Sequence, residues 1–169
     1  VLILMLSFTQ VVVHATVYNA SDLVFNLNAR LGTSYPNGLC LRWVAEQFLN
    51  TYGISVKGTN CCAKHFGDHT IESTARDNIP VGAVVFFDGS SVTCGGAKAG
   101  HIGIHVGGGN VVHAFNWGGN GTKTYKDHIT KIEGTGLYKY RGWGWYSDVE
   151  LVDDSINFDT KKTSTYPDF

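Results

Sequence analysis

The sequence has almost no net charge. Thirteen Lys and Arg stand against 14 Asp and Glu among 169 residues, a formal net charge of −1. It has no basic patch and no run of like charges. Nucleic acid and anionic membrane surfaces draw partners through clustered positive charge, so neither is an expected partner. Beyond residues 1–15 no stretch is apolar enough to cross a bilayer. Internal repeats, low-complexity tracts and a dividing linker are also lacking, and the length suits one domain.

Residues 1–15, VLILMLSFTQVVVHA, are apolar and end in small residues, with Val13 and Ala15 placed as in a signal-peptidase site. The expectation is a truncated secretory signal over 1–15, a catalytic domain over 16–146 and a polar, loosely held tail over 147–169. Secretion would favour disulfides. The cysteines are Cys40, Cys61, Cys62 and Cys94. A bridge from Cys61 or Cys62 to Cys94 would leave Cys40 as a thiol, but spacing does not choose between connectivities. Asn19-Ala20-Ser21 and Asn120-Gly121-Thr122 are glycosylation sequons.

What the chain has in quantity is glycine, 21 residues, which suggests many turns and strands. Two helices are expected first. Ser21 to Gly32 repeats Leu23, Leu27 and Leu31, with Ser21 or Asp22 as cap. Leu39 to Gly53 places Leu41, Val44, Ala45, Phe48, Leu49 and Tyr52 on one stripe, the strongest helical pattern in the chain. Residues 55–78 read as irregular, with a short helix around Ile71 to Arg76. Val81 to Phe87 reads as a buried strand. Asn116 to Gly121 reads as a turn, Ile129 to Ile132 as a segment that pairs or docks, and Leu137 to Tyr146 as a closing strand. Helices followed by an antiparallel sheet make an α+β arrangement.

Gly100 to Phe115, GHIGIHVGGGNVVHAF, reads as a β-hairpin around Gly107-Gly108-Gly109. A three-residue loop sets Val106 against Asn110 and Gly103 against His113. His101 and His113 then share a face as diagonal neighbours. A four-residue loop would send them to opposite faces. Gly109 suits the left-handed residue that ends a three-residue loop, which favours the first register.

Cys40 falls in the first turn of the second helix, directly after a turn. Unpaired backbone N–H groups and the helix dipole favour a thiolate at such a position. With His101 as base and His113 to orient it, the three residues follow the logic of a nucleophile–base–orienter triad. Two further clusters have plainer explanations. Cys61-Cys62-x-x-His65-x-x-x-His69 has ligand-like spacing, but a disulfide with solvated histidines suits a secreted chain better than zinc. Trp117, Trp143 and Trp145 could line a glycan groove, although aromatics in closing strands are more often core.

Together these segments resemble the NlpC/P60 family of cysteine peptidases, which have a papain-like fold. The matching pieces are Gly38-Leu39-Cys40-Leu41-Arg42-Trp43-Val44, Ile79-Pro80-Val81-Gly82-Ala83-Val84-Val85-Phe86-Phe87, His101-Ile102-Gly103-Ile104-His105-Val106 and His113-Ala114. The step from His101 to His113 matches the family's spacing, and Tyr140-Arg141-Gly142-Trp143-Gly144-Trp145 resembles a common family ending. CHAP amidases are the nearest relatives, with a similar Cys40…Trp43 start. The resemblance implies an NlpC/P60 domain with helices packed on an antiparallel sheet, in which Cys40 is the nucleophile, His101 the general base and His113 its orienting residue. It places Tyr35 near the substrate or oxyanion region. His105 shares the face of His101 by strand alternation, which leaves it either touching that region or solvated. The Ser-Gly that often follows the nucleophile is Leu41-Arg42 here, and the family's Tyr after the His-strand is His105. The implied activity is hydrolysis of amide bonds in peptidoglycan stem peptides, of DL-endopeptidase type, by a secreted monomer with no metal and no cofactor. A CHAP-like N-acetylmuramoyl-L-alanine amidase, or a non-catalytic wall-binding domain on the same fold, are the alternatives.

Overall fold

The computed structural model describes residues 17–55, 63–89, 93–94, 97–118 and 121–152. The expected signal peptide, Cys61, Cys62 and Asn120 lie outside the described residues. Strand β1 (Tyr18–Asn19) leads into helix α1 (Ala20–Arg30). The cap is Asn19 rather than Ser21 or Asp22. Its side-chain oxygen accepts the Ser21 backbone N–H at 2.9 Å, which satisfies one of the donors a helix start leaves open. Leu23 and Leu27 are buried as their spacing requires, and α1 packs on α2 (Cys40–Tyr52). Strand β2 (Ser34–Tyr35) follows α1 and precedes α2 in the chain.

Helix α2 buries Leu41, Val44, Ala45 and Phe48, the stripe expected from the sequence, and Trp43 and Gln47 besides. Leu49, expected on that stripe, is exposed. Gly53 ends the helix at φ 72°, with its N–H bonded to the Leu49 carbonyl. The next helix lies earlier than expected, at α3 (Ala63–Thr70). Residues 71–76 are not helical. Ser73 Oγ accepts the Ala75 N–H at 3.1 Å, a local bond that competes with helix, and Ser73 bridges to Trp143. Arg141 secures α3 from the sheet by donating to the Lys64 carbonyl and pairing with Asp68.

The remaining strands are β3 (Val84–Gly89), β4 (Thr93–Cys94), β5 (Ala97–Lys98), β6 (His101–His105), β7 (Asn110–Phe115), β8 (Thr122–His128), β9 (Tyr138–Gly144) and β10 (Leu151–Val152). Helix α4 (Ile129–Glu133) follows β8 and docks through Ile129 and Ile132. The main sheet has the order β2-β8-β7-β6-β3-β9, antiparallel throughout. Helix α2 packs on β6 and β7, the two strands of the hairpin. This is the expected α+β arrangement.

Strand β8 is not expected from the sequence. Its buried positions are Thr122, Thr124 and Asp127, so no apolar alternation marks it. The tail expected to start at 147 is instead docked as far as Val152. Tyr146 is fully buried, and β10 pairs in parallel with β1.

The hairpin takes the three-residue loop. Ile104 pairs with Val112 and His105 with Val111, and the Val106 N–H reaches the Asn110 carbonyl at 2.9 Å. Gly109 has φ 71°, the left-handed conformation that closes such a loop. Gly103 therefore lies against His113. A Cβ on Gly103 would stand 2.9 Å from His113 Cβ and 2.9 Å from the Val112 carbonyl oxygen, and would also meet Val111. Gly103→Ala is expected to destabilise the protein by about 1–3 kcal/mol through this overpacking, measured as a lower urea midpoint. An unchanged midpoint would show that β6 and β7 do not approach so closely at this position.

Candidate active site

Gly38, at φ 75°, turns the chain immediately before α2, and Leu39 stands at the cap with no side-chain hydrogen bond. Cys40 is the first residue of the helix, where backbone N–H groups lack intrahelical acceptors and the dipole is positive. Its half-buried thiol lines a cleft of about 410 Å³. His101 lines the same cleft, from the first position of β6. The helix and the strand thus bring together two residues 61 positions apart in the chain (101 − 40).

His101 Nε2 and His113 Nδ1 are 2.8 Å apart. The two rings meet nearly edge to face, with centroids 5.0 Å apart. Both side chains are buried, within a wall formed by Phe87, Phe115 and Tyr138. Burial pushes the His101 pKa well below the usual histidine value, and the neighbouring His113 pushes it further down. Burial lowers His113 too, against an upward pull from Asp127. At neutral pH both rings are uncharged, so His101 is available to accept a proton.

Asp127, on β8, is a site residue that the sequence does not reveal. By strand alternation Val111, His113 and Phe115 share a face with Tyr125 and Asp127, since His113 pairs with Tyr125. His113 Nε2 lies 3.2 Å from Asp127 Oδ2. Trp117 Nε1 donates to the same oxygen at 2.9 Å, and Lys131 Nζ stands 2.5 Å from Oδ1. The only signal in the sequence is a lone acidic residue at one position of a polar alternation, TKTYKDH, which an exposed strand would share.

The structure does not bring Tyr35 or His105 to the cleft lining. Tyr35 hydrogen-bonds Glu46 of α2, and its pKa is raised by burial and by that carboxylate. The residues from that loop that do line the cleft are Asn37 and Gly38, and Thr122 Oγ1 donates to Asn37 Oδ1 at 3.0 Å. His105 shares the face of His101, but its Nδ1 lies 3.1 Å from the Pro80 carbonyl oxygen and its Nε2 accepts the Gly109 N–H at 3.3 Å. With both ring nitrogens engaged, His105 staples the hairpin turn to the loop before β3. Trp145 is buried and Trp143 half-buried, consistent with core. Trp117 differs: with Phe115 and Tyr138 it forms an aromatic wall of the cleft, beside Leu137. Among the described residues, no group of three His, Cys, Asp or Glu side chains could hold a metal ion. Cys61, Cys62 and the His65 side chain lie outside them.

No family model and no curated protein matches the sequence. Solved structures do match the fold. An NlpC/P60 family protein from Bacillus cereus ATCC 10987 aligns with TM-score 0.55 and 15% identity, over 78% of this chain and 41% of its own. A protein similar to lipoprotein, of the NLP/P60 family, from Staphylococcus aureus subsp. aureus Mu50 aligns with TM-score 0.54 and 16% identity, over 77% and 43%. NlpC2 from Trichomonas vaginalis aligns with TM-score 0.53 and 20% identity, over 78% and 48%. The fold is NlpC/P60-like. This chain spans less than half the length of each of these proteins.

The buried imidazoles make stability depend on pH. The folded pKa values of His101, His105 and His113 are depressed, so the unfolded chain binds more protons just below the ordinary histidine pKa. Their contribution is fully present above about pH 6.5 and is lost as the pH falls below it. Thermal denaturation from pH 7.5 to 5 is expected to show a falling Tm, steepening below pH 6.5. A Tm that is level over that range would mean that the rings are protonated in the folded state.

Proposed function

We propose that this chain is a cysteine peptidase or amidase that hydrolyses amide bonds in the stem peptides of bacterial peptidoglycan. The observation that carries this reading is one cleft lined by both Cys40, at a helix N-terminus, and His101, itself hydrogen-bonded to His113. The NlpC/P60-like fold supports it. In the reaction, His101 takes the thiol proton and the sulfur attacks the scissile carbonyl carbon. The carbonyl oxygen becomes an oxyanion facing the N–H groups at the start of α2. The amine departs with the proton held by His101, leaving a thioester on Cys40. His101 then takes a proton from water. The hydroxide displaces the sulfur, and the acid and the thiol are restored.

Residues 1–15 direct the protein out of the cell, where this substrate is found. A second reading, the muramoyl-L-alanine link, draws on the cleft wall. Trp117 and Phe115 offer aromatic faces beside the amides of Asn37 and Asn116, a combination suited to a sugar ring carrying acetamido groups.

Mass spectrometry of peptidoglycan digests tests the reaction and separates the two bonds. The wild type is expected to release either stem-peptide fragments or free muramic-acid ends. Cys40→Ala is expected to lower product formation by at least about 10³-fold. Equal products from both proteins would overturn the hydrolase assignment.

A further inference from the structure

We infer that Asp127 is a positioning residue, the end of a buried chain Asp127–His113–His101 that dictates which nitrogen of each histidine carries the proton and leaves the His101 Nδ1 lone pair for the thiol. The inference rests on Cys40 and His101 acting as nucleophile and base.

Three donors converge on the Asp127 carboxyl: His113 Nε2, Trp117 Nε1 and Lys131 Nζ. Its side chain is 6% exposed. Burial alone would raise its pKa, but the hydrogen bonds from His113, Lys131 and Trp117 outweigh burial and hold the carboxyl well below the usual range. It is therefore a carboxylate at any working pH, and a carboxylate only accepts hydrogen bonds. His113 must then carry its proton on Nε2. A neutral His113 has its lone pair on Nδ1, the atom 2.8 Å from His101 Nε2. That contact is a hydrogen bond only if His101 Nε2 carries the proton. In a neutral His101 the remaining nitrogen, Nδ1, is the base. One buried acceptor thus propagates a single protonation pattern across two strand-to-strand steps, β8 to β7 to β6.

The same chain acts when His101 becomes charged. A buried imidazolium with no counter-charge is costly. His113 can pass the effect of Asp127 to it by polarisation, without itself losing a proton. Lys131 and Trp117 keep the carboxylate from rotating. Lys131 Nζ lies 5.0 Å from the centre of the Trp117 ring, so this anchor is continuous with the cleft wall.

Asp127→Asn is nearly isosteric and removes the charge. The readout that needs no substrate is the pH dependence of Cys40 alkylation by iodoacetamide, followed peptide by peptide. The variant is expected to alkylate about 10–100-fold more slowly at pH 7, with the profile displaced to higher pH. On peptidoglycan fragments kcat is expected to fall by a similar factor, while KM stays within about threefold. An unchanged alkylation profile together with an unchanged kcat would overturn the inference, even if Tm falls, because a merely structural role moves only Tm. Should the variant not fold, imidazole ¹⁵N NMR of the wild type decides the matter. Protons on Nε2 of both His101 and His113 are expected, and a proton on His113 Nδ1 overturns the chain. A wild type whose Cys40 responds to Asp127 in this way but which leaves peptidoglycan intact would sustain this inference and defeat the proposed substrate.

Discussion

A hydrogen bond between two buried imidazoles, His101 and His113, is the contact on which the site depends. His113 is fully buried and His101 meets solvent only where it borders the cleft, so the ring nitrogens turned into the protein need partners within it. His101 finds His113, and His113 finds Asp127 on the next strand. The bond also imposes a backbone requirement. The two histidines are diagonal neighbours, so the residue beside their contact must leave room, and Gly103 does so. A loop one residue longer would rotate His113 to the other face of the sheet. The three-glycine turn and Gly103 are thus parts of one geometric solution.

The rest of the fold brings a thiol to that pair. Helix α2 packs on β6 and β7 through a stripe of Leu41, Val44, Ala45 and Phe48, and its own first residue is Cys40. The Gly38 turn and the Tyr35–Glu46 hydrogen bond tie the preceding loop to the same helix. His105 does for the hairpin turn what Tyr35 does for that loop. Both are polar residues near the site whose atoms are committed to holding backbone and neighbouring helix in place. This is why Tyr35, which the resemblance placed near the substrate region, and His105, which shares the face of His101, stand outside the cleft lining, while Asn37 and Trp117 lie on it.

Much of this architecture is legible in the amino-acid sequence. The apolar spacing of Leu23 and Leu27, and of Leu41 to Phe48, marks two helices because burial of one face is a strong, periodic constraint. The hairpin register follows from the number of residues its glycines can accommodate. What stays hidden has a common cause. Strand β8 buries Thr122, Thr124 and Asp127, whose side chains are satisfied by hydrogen bonds rather than by apolar contact, so hydrophobic periodicity is silent there. Helix α3 is short, and its partners, Arg141 on β9 and the rings of Phe86 and Tyr146 against Phe66, lie later in the chain. Its position therefore depends on segments that follow it in the chain. The docking of Leu151 and Tyr146 is hidden for the same reason: their partners are at the other end of the chain and in the core.

By itself the sequence determined the local geometry: a cysteine at the head of an amphipathic helix, and two histidines on one face of a tight hairpin. These follow from side-chain periodicity and from the backbone freedom of glycine, which are properties of neighbouring residues. Only the tertiary structure decided that the thiol and His101 line one cleft, that Trp117 is part of its wall, and that a carboxylate from β8 stands behind His113. Those relations join segments with no contact along the chain. They arise from the order in which the strands pair and from the need of every buried polar group for a partner.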